Sequence, residues 1–263
     1  MQIRPITLQY STKYQNPSAK PDLSFGLNCK RLQDLTFEKY KNLSFLEKLK
    51  YRFITPLRIK HDALVNYYAA RRTKISLDEY FGRDNYTAMI IGRSMATIGE
   101  TMRYLGSDVR ILPMSGLSDG LPKEIKHVDV YKSFLDSIGL TKEFIEQNPK
   151  RNFILIDFVS SGSSLKNAHK FLSRPELLGN SERLQLISSQ ELLGNKDIMA
   201  SYLETLFMLQ NLKKYSPVSR LNLTELDKTF ERVQPMPEFK QKRELFLYNI
   251  MRKVDNYKKK TGR

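Results

Sequence analysis

The chain of 263 residues has 44 Lys and Arg side chains against 28 Asp and Glu, which gives a formal net charge of +16 at neutral pH. Hydrophobic residues make up 40% and aromatic residues 11%, a composition that excludes a disordered or collagen-like protein. A single cysteine, Cys29, and three histidines without close Cys, His or carboxylate partners argue against a disulfide scaffold and a protein-held metal site.

The basic excess is concentrated at the two ends of the chain. Residues 1–85 carry 16 basic and 8 acidic side chains (+8), residues 238–263 carry 9 and 3 (+6), and residues 86–237 carry 19 and 17 (+2). Charge placed in this way would steer the protein towards a polyanion, such as nucleic acid, an anionic membrane surface or a phosphorylated substrate. The alternative, an ordinary soluble surface, is favoured by the absence of RNA-binding, zinc-finger and arginine-rich motifs.

The sequence contains no apolar run that approaches the ~18 residues of a membrane-spanning helix. Its first ten residues also lack the pattern of a secretory signal peptide. We therefore predict a cytoplasmic protein without a membrane span. A secreted effector that leaves the cell without a cleaved signal is the alternative.

The first 85 residues are predicted to form a basic helical arm, or hood. Prolines and polar residues favour an irregular segment over residues 1–30. Between residues 35 and 72, apolar residues recur at helical spacing and are interrupted at Thr55-Pro56, which predicts two or three helices. Ser76-Leu-Asp-Glu79 has the pattern of a capping box and predicts the start of another short helix.

A parallel sheet is predicted through the middle of the chain, over residues 86–195. Apolar runs typical of strands alternate there with segments of helical periodicity. This alternation is typical of α/β folds, in which crossover helices join parallel strands. The predicted strands cover residues 86–91, 109–113, 153–156 and 184–187, and the predicted helices cover residues 95–105, 129–148 and 165–172.

The last part of the chain, residues 196–263, is predicted to form helices that pack on this core. Helical periodicity extends over residues 197–214 and 239–257. One apolar stripe on the second of these helices consists of Phe246, Ile250, Val254 and Tyr257. A single stripe of this kind indicates a helix with one buried face.

The most informative feature of the sequence is a loop of small residues between a buried strand and a helix, within the segment Ile154–Leu165. Parallel sheets bind ligands at the carboxyl ends of their strands, and backbone amides at a helix N-terminus hold phosphate. Asp157, just before the loop, would accept hydrogen bonds from sugar hydroxyls. The residues of the predicted phosphate loop are Ser161, Gly162, Ser163 and Ser164.

This segment resembles the signature of the type I phosphoribosyltransferase family. In that signature, an apolar strand leads into two adjacent acidic residues and then into a Thr/Ser-Gly-x-Thr/Ser segment. The resemblance implies that Asp157, at the second acidic position, contacts the ribose hydroxyls of phosphoribosyl pyrophosphate. It also implies that the loop from Ser160 to Ser164 holds the 5-phosphate. Ile156 occupies the first acidic position, so one carboxylate of the family pattern is missing.

A second segment, Met89–Met95, resembles the strand and turn that form the pyrophosphate loop of the same family. The resemblance implies that Gly92, Arg93 and Ser94 face the pyrophosphate, with Arg93 in direct contact with it. A phosphoribosyltransferase-like core flanked by helical ends is therefore the fold that the two segments indicate.

A third segment, which begins at Leu112-Pro-Met-Ser-Gly116, resembles the mobile catalytic lid of the family. Either Lys123 or Lys126 would supply its cation. Mg²⁺ is expected as the counter-ion of the pyrophosphate, held by the ligand and by water more than by protein side chains.

The resemblance implies a protein that binds phosphoribosyl pyrophosphate or a related ribose phosphate. As an enzyme it would transfer ribosyl-5-phosphate to a nitrogen nucleophile and release pyrophosphate, with Asp157 and Arg93 as catalytic residues. The alternative is a non-catalytic module of the same fold that senses a nucleotide or binds nucleic acid or another polyanion through its basic ends. At the level of single residues, Asp157 could instead cap the next turn, and Arg93 could be an ordinary surface arginine.

Overall fold

The centre of the molecule is a four-stranded sheet whose strands all run parallel. The computed structural model describes residues 40, 42–92, 95–115, 117, 120–121, 128–158, 162–179, 181–193, 209, 212–216, 221–222 and 237–262. The strands are β1 (Tyr86–Ile91), β2 (Val109–Leu112), β3 (Met114–Ser115), β4 (Asn152–Asp157), β5 (Leu184–Ser188) and β6 (Leu221–Asn222). The order in the four-stranded sheet is β2-β1-β4-β5, and β3 and β6 pair with each other, also in parallel.

Helices cover both faces of the sheet. In chain order they are α1 (Phe45–Ile54), α2 (Leu57–Phe81), α3 (Ala96–Tyr104), α4 (Val128–Ser137), α5 (Lys142–Gln147), α6 (Ser163–Leu172), α7 (Ser189–Leu193) and α8 (Pro237–Thr261). None of the helices within the described residues is both long enough and apolar enough to cross a bilayer.

The side chains of the central strands alternate between two apolar clusters. On β1, Ala88 and Ile90 belong to a cluster with residues of α2, α3 and α8, whereas Met89 and Ile91 belong to a cluster with residues of α4, α5 and α6. Every residue of β1 is buried, as expected for a parallel strand with helices on both sides. The structure therefore confirms the predicted α/β class with a parallel sheet.

The helices at the two ends of the chain pack on each other. Helix α8 lies along α2 and also contacts α1 and α3. Of its predicted apolar stripe, Phe246, Ile250 and Val254 are buried, and Tyr257 packs against the same cluster. The stripe is thus confirmed, while the division of the chain at residues 85 and 195 and the hood stay predictions.

The predicted capping box at Ser76 is wrong, because α2 continues through this residue to Phe81. Leu77 is fully buried, and the Ser76 hydroxyl donates a 2.9 Å hydrogen bond to the carbonyl of Leu192. Tertiary packing therefore holds this segment inside a long helix. The predicted interruption at Thr55-Pro56 is confirmed, since α1 ends at Ile54 and α2 begins at Leu57.

A capping box does occur at the start of α1. The backbone N–H of Ser44 donates to the Glu47 carboxylate at 2.8 Å, and the N–H of Glu47 donates to the Ser44 hydroxyl at 3.3 Å.

The predictions for residues 1–30, and for most of the helix over residues 197–214, lie outside the described residues.

The side chain of Arg151 connects the amino ends of the central strands by hydrogen bonds and an ion pair. The guanidinium of Arg151 donates to the Asp108 carboxylate and to the Tyr86 carbonyl, both at 2.8 Å, and to the Thr87 hydroxyl at 2.7 Å. Asp108 also pairs with Arg110 at 2.7 Å. These contacts join the beginnings of β1, β2 and β4, at the edge opposite to the loops that the sequence singles out.

Candidate functional site

The turn after β1 and the loop after β4 leave the same edge of the sheet from neighbouring strands. β1 and β4 run parallel with Ile90 opposite Ile156, so Gly92 and Asp157 follow at this edge. The chain adds β2 on one side of β1 and β4 on the other, so its winding direction reverses between β1 and β4. Open parallel sheets bind ligands in the crevice at such a reversal.

Asp157 is the last residue of β4, and its side chain is partly buried. Burial raises the pKa of its carboxyl from 3.8 to about 7, although the hydrogen bond from the Phe158 N–H, at 2.7 Å, acts in the opposite direction. Near neutral pH the carboxyl is therefore present in both forms and can donate as well as accept a hydrogen bond. The bond to Phe158 is also what a residue that caps the turn would make.

Gly92 forms a turn directly after β1, close to the end of β2 and the start of β3. Its φ is +68°, and its N–H donates a 2.8 Å hydrogen bond to the carbonyl of Leu112 at the end of β2. A Cβ at this position would lie 3.1 Å from the carbonyl oxygen of Met114. Glycine is therefore required here by the backbone itself, whether or not a ligand approaches the turn.

The N-terminus of α6 has a glycine where a capping side chain is usual. Gly162 is the N-cap, with a φ of +77°, and it supplies no side-chain hydrogen bond to the first turn. A Cβ added there would meet no atom of the described residues within 4 Å. Ser163 and Ser164, both partly buried, form the first turn of this ten-residue helix. The described part of the chain therefore leaves the space beside the positive end of the helix open at this glycine.

Six of the predicted site residues lie outside the described residues, and their roles stay predictions. They are Arg93, Ser94, Lys123, Lys126, Ser160 and Ser161. Of the others, Gly92 and Asp157 lie at the ends of adjacent strands, and Gly162, Ser163 and Ser164 begin the helix that follows Asp157.

The structure adds Ser188 and Glu191 to this edge of the sheet. Ser188 ends β5 and is the strand partner of Asp157. Its N–H donates to the Glu191 carboxylate at 2.9 Å, and the N–H of Glu191 donates to the Ser188 hydroxyl at 3.3 Å. The pattern Ser-x-x-Glu at 188–191 is a capping-box signal that the sequence alone contains. Its position next to Asp157 follows only from the order of the strands, which the sequence pattern does not give.

The described part of this edge does not fit a magnesium ion held by the protein. Mg²⁺ in proteins is usually bound by one or two carboxylates together with water and ligand phosphates, whereas Ile156 stands at one of the two acidic positions of the family pattern and is fully buried in the apolar core. Within the described residues, no three Asp, Glu, His or Cys side chains are grouped so that they could hold a metal ion.

A groove of about 260 Å³ lies apart from the sheet edge, between α2 and α8. Its cationic side chains are those of Lys60, Arg252 and Lys253, with His61 beside them. The groove is lined by residues of these two helices and does not involve the strands that form the candidate site.

Comparison of the chain with family models, with curated proteins and with solved structures gave no match. The structure itself shows the α/β class and the parallel sheet. The resemblance to phosphoribosyltransferases stays a prediction from the loop sequences.

Proposed function

We propose that the protein binds a ribose phosphate, with phosphoribosyl pyrophosphate as the first ligand to test, at the carboxyl edge of β1 and β4. The observation that supports this most is the parallel pairing of these two strands at the reversal of winding. A ligand with phosphates at both ends of a sugar needs two anion-binding loops on one edge, and the turn after β1 and the loop after β4 have that relation.

Each part of the edge has a role in this proposal. The amides at the start of α6 bind the 5-phosphate, and the glycine at Gly162 leaves space for it. The carboxyl of Asp157 hydrogen-bonds the ribose hydroxyls. Its raised pKa lessens the negative charge that two phosphates would otherwise meet. Arg93 and the turn at Gly92 bind the pyrophosphate, and a lid lysine, Lys123 or Lys126, completes its charge balance.

As an enzyme, the protein would exchange one bond at C1 of the ribose for another. The bond from C1 to the pyrophosphate oxygen breaks, and its electron pair leaves with the pyrophosphate. A nitrogen nucleophile forms the new bond to C1 and gives up a proton to solvent. Groups that hold the pyrophosphate stabilise the negative charge that develops on it as it leaves, while positive charge develops on the ribose ring. Mg²⁺ would enter with the pyrophosphate of the ligand.

A non-catalytic nucleotide-binding module is the second candidate. It is favoured by Ile156, which is fully buried opposite Ile90 where the family pattern has an acidic residue. Nucleic acid or another polyanion would then bind through the basic ends of the chain. An assay for pyrophosphate release with a panel of nucleobases separates the candidates, because a module releases none. Steeply salt-dependent retention on nucleic acid would favour the polyanion partner.

Calorimetric titration of phosphoribosyl pyrophosphate with Mg²⁺ into the full chain tests the binding site. Ser164→Asp adds a negative charge to the first turn of α6, which a helix N-terminus tolerates but which repels a phosphate. We expect binding to weaken about tenfold or more, with an unchanged melting temperature.

The matched control is Ser44→Asp, which places the same charge at the N-terminus of α1 and should bind as the wild type does. If the wild type does not bind, or if Ser164→Asp binds equally well, the proposed site is wrong.

A further inference from the structure

Large apolar side chains are exposed where α1 meets α2. Five such side chains fall within thirteen residues, and each is between 48% and 82% exposed. They are Phe45, Leu46, Phe53, Ile54 and Leu57. Exposed apolar groups gathered in this way mark an interaction surface, whereas isolated ones do not.

Helix α1 is fixed so that this apolar side faces outwards. Phe45 and Phe53 are eight residues apart and therefore share one face, with Leu49 between them. Tyr51 is on the other side and packs on Tyr248 of α8, with 5.1 Å between the ring centroids. The hydroxyl of Tyr248 also donates a 2.6 Å hydrogen bond to the carbonyl of Lys48. The side of the helix that carries Lys48 and Tyr51 is thus held on α8, and the side that carries the phenylalanines is exposed.

Basic side chains border the apolar face. Lys50 and Arg52 are exposed on either side of the stripe that contains Phe53, and Arg58 is exposed at the start of α2. Over residues 44–61 there are five Lys and Arg and one acidic residue, Glu47, which is engaged in the capping box. An apolar face flanked by Lys and Arg is complementary to an anionic lipid surface, which offers acyl chains below and negative charge above.

The groove between α2 and α8 continues this surface. Lys60 and His61 line it and lie one helical turn beyond Leu57, so the groove opens beside the exposed apolar side chains. Its other side carries Arg252 and Lys253. Two Lys and one Arg side chain around a groove next to an apolar patch fit the phosphate of a lipid headgroup.

We propose that the outer face of α1 and the adjoining groove dock the protein on an anionic phospholipid bilayer. The Phe and Leu side chains enter the interface between headgroups and acyl chains, and the flanking Lys and Arg contact the headgroups. The contact is peripheral, because α1 lies in the plane of the surface. This site is distinct from the carboxyl edge of the sheet, so it stands whether or not a ribose phosphate binds there.

Sedimentation of the full chain with lipid vesicles tests the proposal. We expect the wild type to bind vesicles that contain phosphatidylserine and to bind pure phosphatidylcholine vesicles far less. Phe45→Ser with Phe53→Ser removes two exposed rings, and Lys50→Glu with Arg52→Glu reverses the flanking charge. Each pair should weaken binding about tenfold or more, and added salt should affect only variants that keep the basic residues.

The matched control is Tyr80→Ser, which removes an equally exposed aromatic side chain from the far end of α2 and should bind as the wild type does. Two results would overturn the proposal. One is wild-type binding no stronger to anionic than to neutral vesicles. The other is unchanged vesicle binding by the double Phe variant. If that variant binds vesicles normally but loses self-association in sedimentation velocity, or loses retention on nucleic acid, the surface has a partner other than a bilayer.

Discussion

Asp157 ends β4 with its carboxyl partly buried, and its pKa is raised to about 7 chiefly by that burial. The native state therefore holds the proton more tightly than the unfolded chain does. It follows that the contribution of Asp157 to stability is complete below pH 4 and is lost as the pH rises towards 7. Between those values the unfolded chain ionises while the native carboxyl stays largely protonated, and this difference is what lowers the stability.

Asp157→Asn should remove this loss. We expect the variant to gain about 2 kcal/mol in free energy of unfolding, relative to the wild type, when the pH is raised from 5 to 8. Urea unfolding of both proteins at the two pH values measures the difference. A difference that is the same at both pH values would show that the carboxyl is not buried in solution.

At the scale of elements, a buried ion pair joins α3 to α8. The guanidinium of Arg243 lies 3.2 Å from the carboxylate of Glu100, whose side chain is almost completely buried, and also donates to the carbonyl of Tyr215. Removal of one member of such a pair leaves the other buried without its counter-charge, which costs more than the pair itself contributes.

Glu100→Gln should therefore destabilise the protein by about 3 kcal/mol, and Glu100→Gln combined with Arg243→Met should recover part of that loss. Chemical denaturation of the wild type, the single variant and the double variant gives the three free energies. A double variant that is less stable than the single one would mean that Arg243 stabilises α8 independently of Glu100.

Secondary structure was predictable where burial and local pattern agree. The strand at residues 86–91 is a largely apolar run because both of its faces are covered, and the observed strand has the predicted bounds. At Ser76 the two disagree. The local capping pattern predicts a helix start, but the helix continues through this residue because Leu77 is buried by tertiary packing. The two-residue strands β3 and β6 are too short for any periodicity, and they pair residues about 107 apart.

At the scale of the whole molecule, the two ends of the chain share one core. Residues of α2 and α8 belong to the same apolar cluster as Ile90 of β1 and Ile156 of β4. The helical ends and the sheet are therefore coupled through common packing, which favours a single cooperative unfolding unit.

Thermal unfolding followed by far-ultraviolet circular dichroism and by tyrosine fluorescence should accordingly give one coincident transition. Tyrosine is a suitable probe, because the chain has 14 Tyr and no Trp, and buried tyrosines such as Tyr67 and Tyr248 lie on the terminal helices. Two separated transitions would show instead that the ends fold as units apart from the sheet.

The sequence by itself determined the α/β class, the main strands and helices, and the two loops with candidate phosphate chemistry, because apolar periodicity and glycine position are local properties of the chain. Only the tertiary structure decided that β1 and β4 are neighbours, that Ser188 lies beside Asp157, and that α1 turns its phenylalanines outwards. These relations join residues far apart in the chain, and they depend on which apolar faces bury one another rather than on any local pattern.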